Sequence, residues 1–292
     1  YYNGMHWLGK EEGVGTRVYI NGDMYTGDWK AGKYHGNGVL TQAGEKISGR
    51  WEANKFIKES KDLKRIALLI GNYTYKNETE LLNPANDVRD LSKKLKEIGF
   101  DVSSNENLTD KQMELKIASF GEKAKNSDIA LFYFSGHGIE IGGQNYMIPV
   151  DARMNNESSA KVEAINLDLI TDMTSKSSKL GIVLIDACRN NPFLSRMLSQ
   201  NKTKSISKGL AEVDTRENLI ISFAAAAGNL AMDGPVGGNS PYAKALLKYI
   251  GEREEIGMLF RKVGDEVREL TDNTQRPMLK LDLSGEKFFL VK

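Results

Sequence analysis

One cysteine and three histidines supply all the thiol and imidazole chemistry of this 292-residue chain. Cys188 follows the apolar run Gly181-Ile-Val-Leu-Ile-Asp-Ala, and His137 follows Ile129-Ala-Leu-Phe-Tyr-Phe-Ser-Gly. Each is a reactive group just past a segment of strand length, and the other two histidines, His6 and His35, lie far toward the N-terminus. A thiolate attacks carbonyl carbon and an imidazole titrates near neutrality, so the pair has the parts of a nucleophile and its proton carrier. A lone cysteine more often packs as a small hydrophobe. The pairing with His137 favours chemistry here, as do Gly136 and Gly138, which let the backbone approach a substrate.

The same counts exclude other classes. One cysteine forms no intrachain disulfide framework, and with three histidines it builds none of the usual zinc clusters, so no metal site is expected. Forty Lys and Arg against 39 Asp and Glu leave a net charge of +1, which provides no basic field for nucleic acid. No apolar run approaches the length of a membrane span. The Gly234-Pro-Val-Gly-Gly segment lacks the Gly-Lys-Ser/Thr of a phosphate cradle. The chain opens on Tyr1 rather than Met, which leaves secretion open beside the expected cytoplasmic location.

The elements that must position the two groups alternate apolar strands with amphipathic helices. Strands are predicted at Ile66 to Ile70, Ile129 to Phe134, Leu180 to Ile185 and Leu219 to Phe223. Helices are predicted at Pro84 to Ile98, Lys111 to Lys125, Ile165 to Ser175, Pro241 to Ile250 and Ile256 to Leu270, with a hairpin turning at Gly142-Gly143 and an edge strand at Phe288 to Val291. This alternation argues an α/β domain with a mostly parallel sheet flanked by helices. In such sheets reactive groups gather beyond the carboxyl ends of the strands.

The first 57 residues have a different grain. Trp7, Trp29 and Trp51 are evenly spaced, and Tyr25-x-Gly27-x-Trp29-x-x-Gly32-Lys33-x-His35-Gly36-x-Gly38 overlays Tyr2-x-Gly4 and Gly9-Lys10-x-Glu12-Gly13-x-Gly15, with a one-residue slip around Met5 and His6. A third copy begins at Ile47-x-Gly49-x-Trp51. Aromatics alternating with polar residues around glycine turns read as stacked β-hairpins that share a strip of rings. The register resembles the MORN repeat, an all-β module. MORN arrays as a class imply a docking surface. Protein contact is favoured over an anionic membrane, because no polybasic patch is present. His6 and His35 read as turn or packing residues rather than ligands. The charged stretch Glu52 to Lys64 reads as a linker, so residues 1–57 form the repeat module and 58–292 the second domain.

Along the second domain, Tyr-Phe-Ser-Gly-His137-Gly and Asp186-Ala-Cys188-Arg-Asn-Asn-Pro stand in order with Gly71-Asn-Tyr-x-Tyr, Asn83-Pro-Ala-Asn-Asp87, Ser222-Phe-Ala-Ala-Ala and Asn239-Ser-Pro-Tyr. The set resembles the caspase-like cysteine peptidases of clan CD, and within them the bacterial metacaspase-like enzymes called orthocaspases. The resemblance implies a caspase-like α/β fold and a Cys188/His137 dyad. It places the oxyanion hole at the backbone N–H groups of Gly138 and Cys188. It implies a basic S1 pocket at Asp87 and Asp186 with Ser135 as a polar neighbour and Asp233 as a weaker third carboxylate. The substrate would be a protein or peptide with Arg or Lys at P1. Taken singly, each aspartate also fits a helix cap or turn residue. Arg189, directly after the nucleophile, departs from the His of many eukaryotic metacaspases and is a competing partner for these carboxylates. No cofactor is required. Calcium dependence stays open, because some relatives need it while no acidic loop here has calcium-ligand spacing. Self-cleavage is expected in the segment after the nucleophile, at Lys208 foremost, with Lys202, Lys204 and Arg216 as further candidates. The competing reading is a scaffold in which the hairpins bind a partner and the caspase-like domain is catalytically silent. A hydrolase for small amides is disfavoured.

Overall fold

The computed structural model describes residues 1–57, 63–177, 179–188, 217–226, 231–283 and 287–291, with the backbone alone at Cys188. It divides into two compact units, Tyr1–Leu63 and Lys64–Lys292.

The first unit is an antiparallel meander of six strands: β1 (Tyr2–Trp7), β2 (Lys10–Val18), β3 (Met24–Lys30), β4 (Lys33–Gln42), β5 (Glu45–Glu52) and β6 (Lys55–Ile57). The 22-residue tryptophan spacing has a physical cause in the pairing. Gly4, Gly15, Gly27, Gly38 and Gly49 stand opposite one another across five strands. A Cβ at Gly27 or Gly38 would run into the Tyr25 side chain. This bare glycine row makes room for rings: Tyr25 stacks on Tyr34 at 3.8 Å and meets Trp29 and Trp51 edge-on at 5.2 and 5.5 Å. Each buried indole finds an acceptor, Trp29 Nε1 donating to the Gly15 carbonyl and Trp51 Nε1 to that of Gly38. The slip in the first copy is a bulge between Gly4 and Met5. Of the two roles read for them, turn or packing, His6 takes packing, edge-on against Tyr2 at 4.8 Å, and both it and His35 lie within strands. One expectation changes. The stretch read as linker begins inside the array, because Lys55–Ile57 pairs with β5 and sets Phe56 opposite Trp51.

The second unit is a mixed eight-stranded sheet flanked by helices. Its centre is β9 (Ile129–Ile141), all of whose residues are buried. On one side β9 pairs in parallel with β7 (Arg65–Gly71), which pairs with β8 (Asp101–Glu106). On the other side it pairs in parallel with β12 (Leu180–Cys188), followed by β13 (Leu219–Phe223) and the antiparallel edge β14 (Met278–Asp282). The far end of β9 folds back through Gly142-Gly143 into β10 (Gln144–Met147), which pairs with β11 (Ile165–Asn166). The helices are α1 (Pro84–Glu97), α2 (Asp110–Ala124), α3 (Glu157–Glu163), α4 (Leu167–Thr174), α5 (Pro241–Tyr249) and α6 (Ile256–Leu270) among the described residues. One sheet face carries Phe132, Phe134, Val183, Ile185, Ile221 and Phe223 into a core with α2 and α4. The opposite face receives α1 and α5.

Four local expectations are corrected. Phe288 to Val291 is no strand: only Phe289 makes a bridge, to Glu255, and Met278–Asp282 forms the edge instead. Leu290 there is fully buried, so the apolar run serves as a plug rather than a ladder. Ile165-Asn166 is a strand end that turns into α4, the Asn166 side chain accepting the Asp168 N–H as a cap. His137 and Cys188 do not stand past their strands, because both ladders run through them. Finally, β8 and α3 arise from segments not assigned to any element; β8, Asp-Val-Ser-Ser-Asn-Glu, is a polar edge strand without an apolar signature.

Candidate active site

Period-two alternation builds the site. While Phe132 and Phe134 enter the core, Tyr133, Ser135 and His137 line the other face of β9. In β12 the partners in register are Asp186 opposite Ser135 and Cys188 opposite His137. Parallel pairing therefore sets two layers side by side, one with Asp186 opposite Ser135 and one with Cys188 opposite His137.

His137 is held on three sides. Its N–H donates to the Tyr75 hydroxyl at 2.8 Å, its ring packs on the Tyr75 ring at 4.5 Å, and its Nε2 lies 3.0 Å from the Thr79 carbonyl oxygen. A carbonyl only accepts, so Nε2 carries the proton and Nδ1 keeps its lone pair. Nδ1 is buried and has no hydrogen-bond partner among the described residues. Burial holds the imidazole below its ordinary pKa, opposed by the Thr79 carbonyl and by the charge of Asp233. Burial thus favours the neutral ring, and Nδ1 is its unpartnered nitrogen among the described residues. At Gly136 a Cβ would strike the Tyr75 hydroxyl and the Phe134 ring, so glycine there serves packing under the histidine. Gly138 continues the strand opposite Met147.

The carboxylate layer converges from three distant segments. Asp87, in the first turn of α1, accepts from Ser135 Oγ at 3.2 Å, Asn239 Nδ2 at 3.2 Å and the Ser240 N–H at 3.0 Å. Asp186 accepts from Tyr133 Oη at 3.1 Å and Ser240 Oγ at 2.5 Å. Both are buried. Desolvation raises both carboxyl pKa values well above the ordinary range, with the charge of Asp186 adding to the effect on Asp87 and that of Asp233 to the effect on Asp186. Burial thus favours the protonated form at this pair, in which the two carboxyls repel less. Asp233 is half-exposed and accepts the Leu82 N–H at 2.8 Å. Arg189, Lys202, Lys204, Lys208 and Arg216 lie outside the described residues. Among the described residues no cluster of three or more His, Cys, Asp or Glu has metal-holding geometry, and no helix is long and apolar enough to cross a membrane.

Tyr75, Thr79, Tyr133, Asn239 and Ser240 were not singled out from sequence as site residues. The Tyr-x-Ser-x-His alternation and the Ser-Pro that opens α5 were signals for two of them, Tyr133 and Ser240. Thr79 acts through its backbone carbonyl, which no side-chain pattern reveals.

A family model of the caspase domain matches residues 64–288. The chain belongs to the caspase family, which is a family of cysteine peptidases. A MORN-repeat model matches residues 7–24 and 25–44. Human mucosa-associated lymphoid tissue lymphoma translocation protein 1 is 26% identical over 227 residues, covering 76% of this chain and 26% of that protein. Pig caspase-1 is 28% identical over 130 residues, 43% of this chain and 31% of the relative. The chain thus spans about a quarter to a third of the length of these relatives. A solved structure of pro-sf-caspase-1 superposes with a TM-score of 0.58 at 17% identity, over 78% of this chain and 91% of that one, which shows the caspase fold.

Proposed function

We propose that this caspase-family chain is a cysteine endopeptidase that cuts after Arg or Lys. The observation that carries this reading is the tautomer of His137: Nε2 committed to Thr79, Nδ1 open, and Cys188 paired beside it in the ladder. His137 Nδ1 takes the thiol proton of Cys188 as sulfur attacks the scissile carbonyl carbon. The carbonyl π electrons move to oxygen, and the N–H groups of Gly138 and Cys188 receive that oxyanion. His137 then delivers its proton to the departing amine, leaving a thioester that water hydrolyses with the same ring as base. No cofactor takes part.

Specificity follows from the carboxylate layer. A P1 guanidinium or ammonium entering beside Ser135 supplies the positive charge that returns Asp87 and Asp186 to their ionised forms, whereas a P1 Asp adds like charge. The MORN sheet serves as the docking module for a protein partner, and the segment bearing Lys202, Lys204, Lys208 and Arg216 is the site of self-cleavage.

A peptide library presented to purified protein, with and without calcium and beside Cys188→Ala, tests the reading. Cleavage after Arg and Lys, lost by about a thousandfold or more in the variant, is the expected result, and the two calcium conditions decide whether calcium is needed. Turnover that persists in Cys188→Ala overturns the dyad. A wild-type chain that cuts nothing yet binds a partner through residues 1–57 is the scaffold instead.

A further inference from the structure

Residues 233–240 are laced onto residues 82–90. Asn83 Nδ2 donates to the carbonyls of Asp233 at 2.5 Å and Pro235 at 2.9 Å, and Asn86 Nδ2 donates to Gly238 at 2.9 Å. Side-chain carboxylates share in the lacing: Asp87 Oδ1 accepts from Asn239 Nδ2 and the Ser240 N–H, Asp90 Oδ2 accepts from Asn239 Nδ2 at 3.2 Å, and Asp233 Oδ2 accepts the Leu82 N–H at 2.8 Å. Leu82 stands three residues beyond Thr79, whose carbonyl meets His137. The other end of that loop is pinned separately: Lys76 N–H donates to the Val150 carbonyl at 2.8 Å and Asn77 Nδ2 to that of Ala152 at 3.0 Å. The Leu81 N–H adds a third tie, donating to the Tyr73 carbonyl at 3.1 Å, and Thr79 and Glu80, between Asn77 and Leu81, are exposed. A carbonyl on an exposed loop keeps its aim only as well as its anchors hold.

We propose that Asp233 is a positioning residue for the general base: by capping the Leu82 amide it holds the 76–82 loop so that the Thr79 carbonyl fixes the Nε2–H tautomer of His137. This rests on the dyad reading above, and it moves Asp233 from the P1 pocket to the loop that orients the histidine. The surroundings agree. Asp87 and Asp186 are buried against hydroxyl and amide donors, whereas Asp233 is half-exposed with one oxygen committed to a backbone amide. Its charge also bears on both His137 and Asp186. Misaiming a reacting group by about 1 Å costs on the order of a hundredfold in rate, so the anchor bears on turnover rather than on affinity.

The test uses the full chain and reads the histidine directly. Long-range proton–nitrogen NMR on Cys188→Ala protein reports the His137 tautomer without any need for activity. The Nε2–H form is expected there, retained when Asp233→Asn is added because the amide oxygen still accepts from Leu82, and mixed with Nδ1–H when Asp233→Ala is added. In the chain with Cys188 intact, Asp233→Ala should lower kcat on an Arg peptide about tenfold or more with KM little changed, and Asp233→Asn should restore most of it. A single unchanged tautomer in Asp233→Ala overturns the proposal. So does a rise in KM at constant kcat in both variants, which marks a substrate contact instead. If the tautomer responds as expected while the wild-type chain cuts no Arg peptide, the clamp stands and the endopeptidase reading fails.

Discussion

Asp87 and Asp186 meet on a single residue: the backbone N–H of Ser240 donates to Asp87 and its side-chain hydroxyl to Asp186. One residue at the N-terminus of α5 therefore sets the spacing of two buried carboxyl groups that come from α1 and β12. The same hydroxyl also caps α5 by accepting the Ala243 N–H. Pocket geometry and helix start are thereby tied together.

That pair should make stability fall with rising pH. Both carboxyls have folded-state pKa values raised above the unfolded one, so the native state holds protons that the unfolded chain releases. The resulting stabilisation is complete below about pH 4 and is lost as pH climbs through the raised values near neutrality. Urea unfolding of wild type and Asp186→Asn between pH 4 and pH 8 measures it. The variant, which has no proton to lose at this position, should gain on wild type as pH rises; parallel curves would remove the linkage.

Asp186→Asn should also separate the two proposed layers functionally. Losing one charge-assisted contact to P1 should lower kcat/KM for Arg and Lys peptides about ten- to a hundredfold, chiefly through KM. A library in which Asp peptides are cut faster than Arg peptides by wild type would reject the pocket.

Removing residues 1–57 should leave a chain that unfolds cooperatively, because residues 64–292 carry their own sheet and core. Circular dichroism with thermal melting of the truncated protein checks this. An insoluble product would mean that the repeats share the core.

Self-cleavage should yield two fragments on a denaturing gel with active protein and none with Cys188→Ala. Mass spectrometry is expected to place the break after Lys208, where Gly209 follows, or after Lys202, Lys204 or Arg216. An intact chain in fully active enzyme would show that activation needs no processing.

Much of the architecture was readable before any coordinates because it is periodic. The glycine and tryptophan spacing announced the hairpin array, the alternation of apolar runs with amphipathic stretches announced the α/β domain, and one cysteine and one histidine at matching strand ends announced the candidate dyad. Such patterns are local, since strand and helix faces repeat every two or three to four residues along the chain. The polar edge strand Asp101–Glu106 escaped because an edge buries little and needs no apolar run. Register, the Thr79 carbonyl and the convergence of Asp87, Asp186 and Ser240 were decided only by tertiary structure. They join segments up to 153 residues apart, and the Thr79 carbonyl and the Ser240 N–H are backbone groups that every residue type shares, apart from the N–H that proline lacks, so their placement depends on the packing of whole elements rather than on a local pattern.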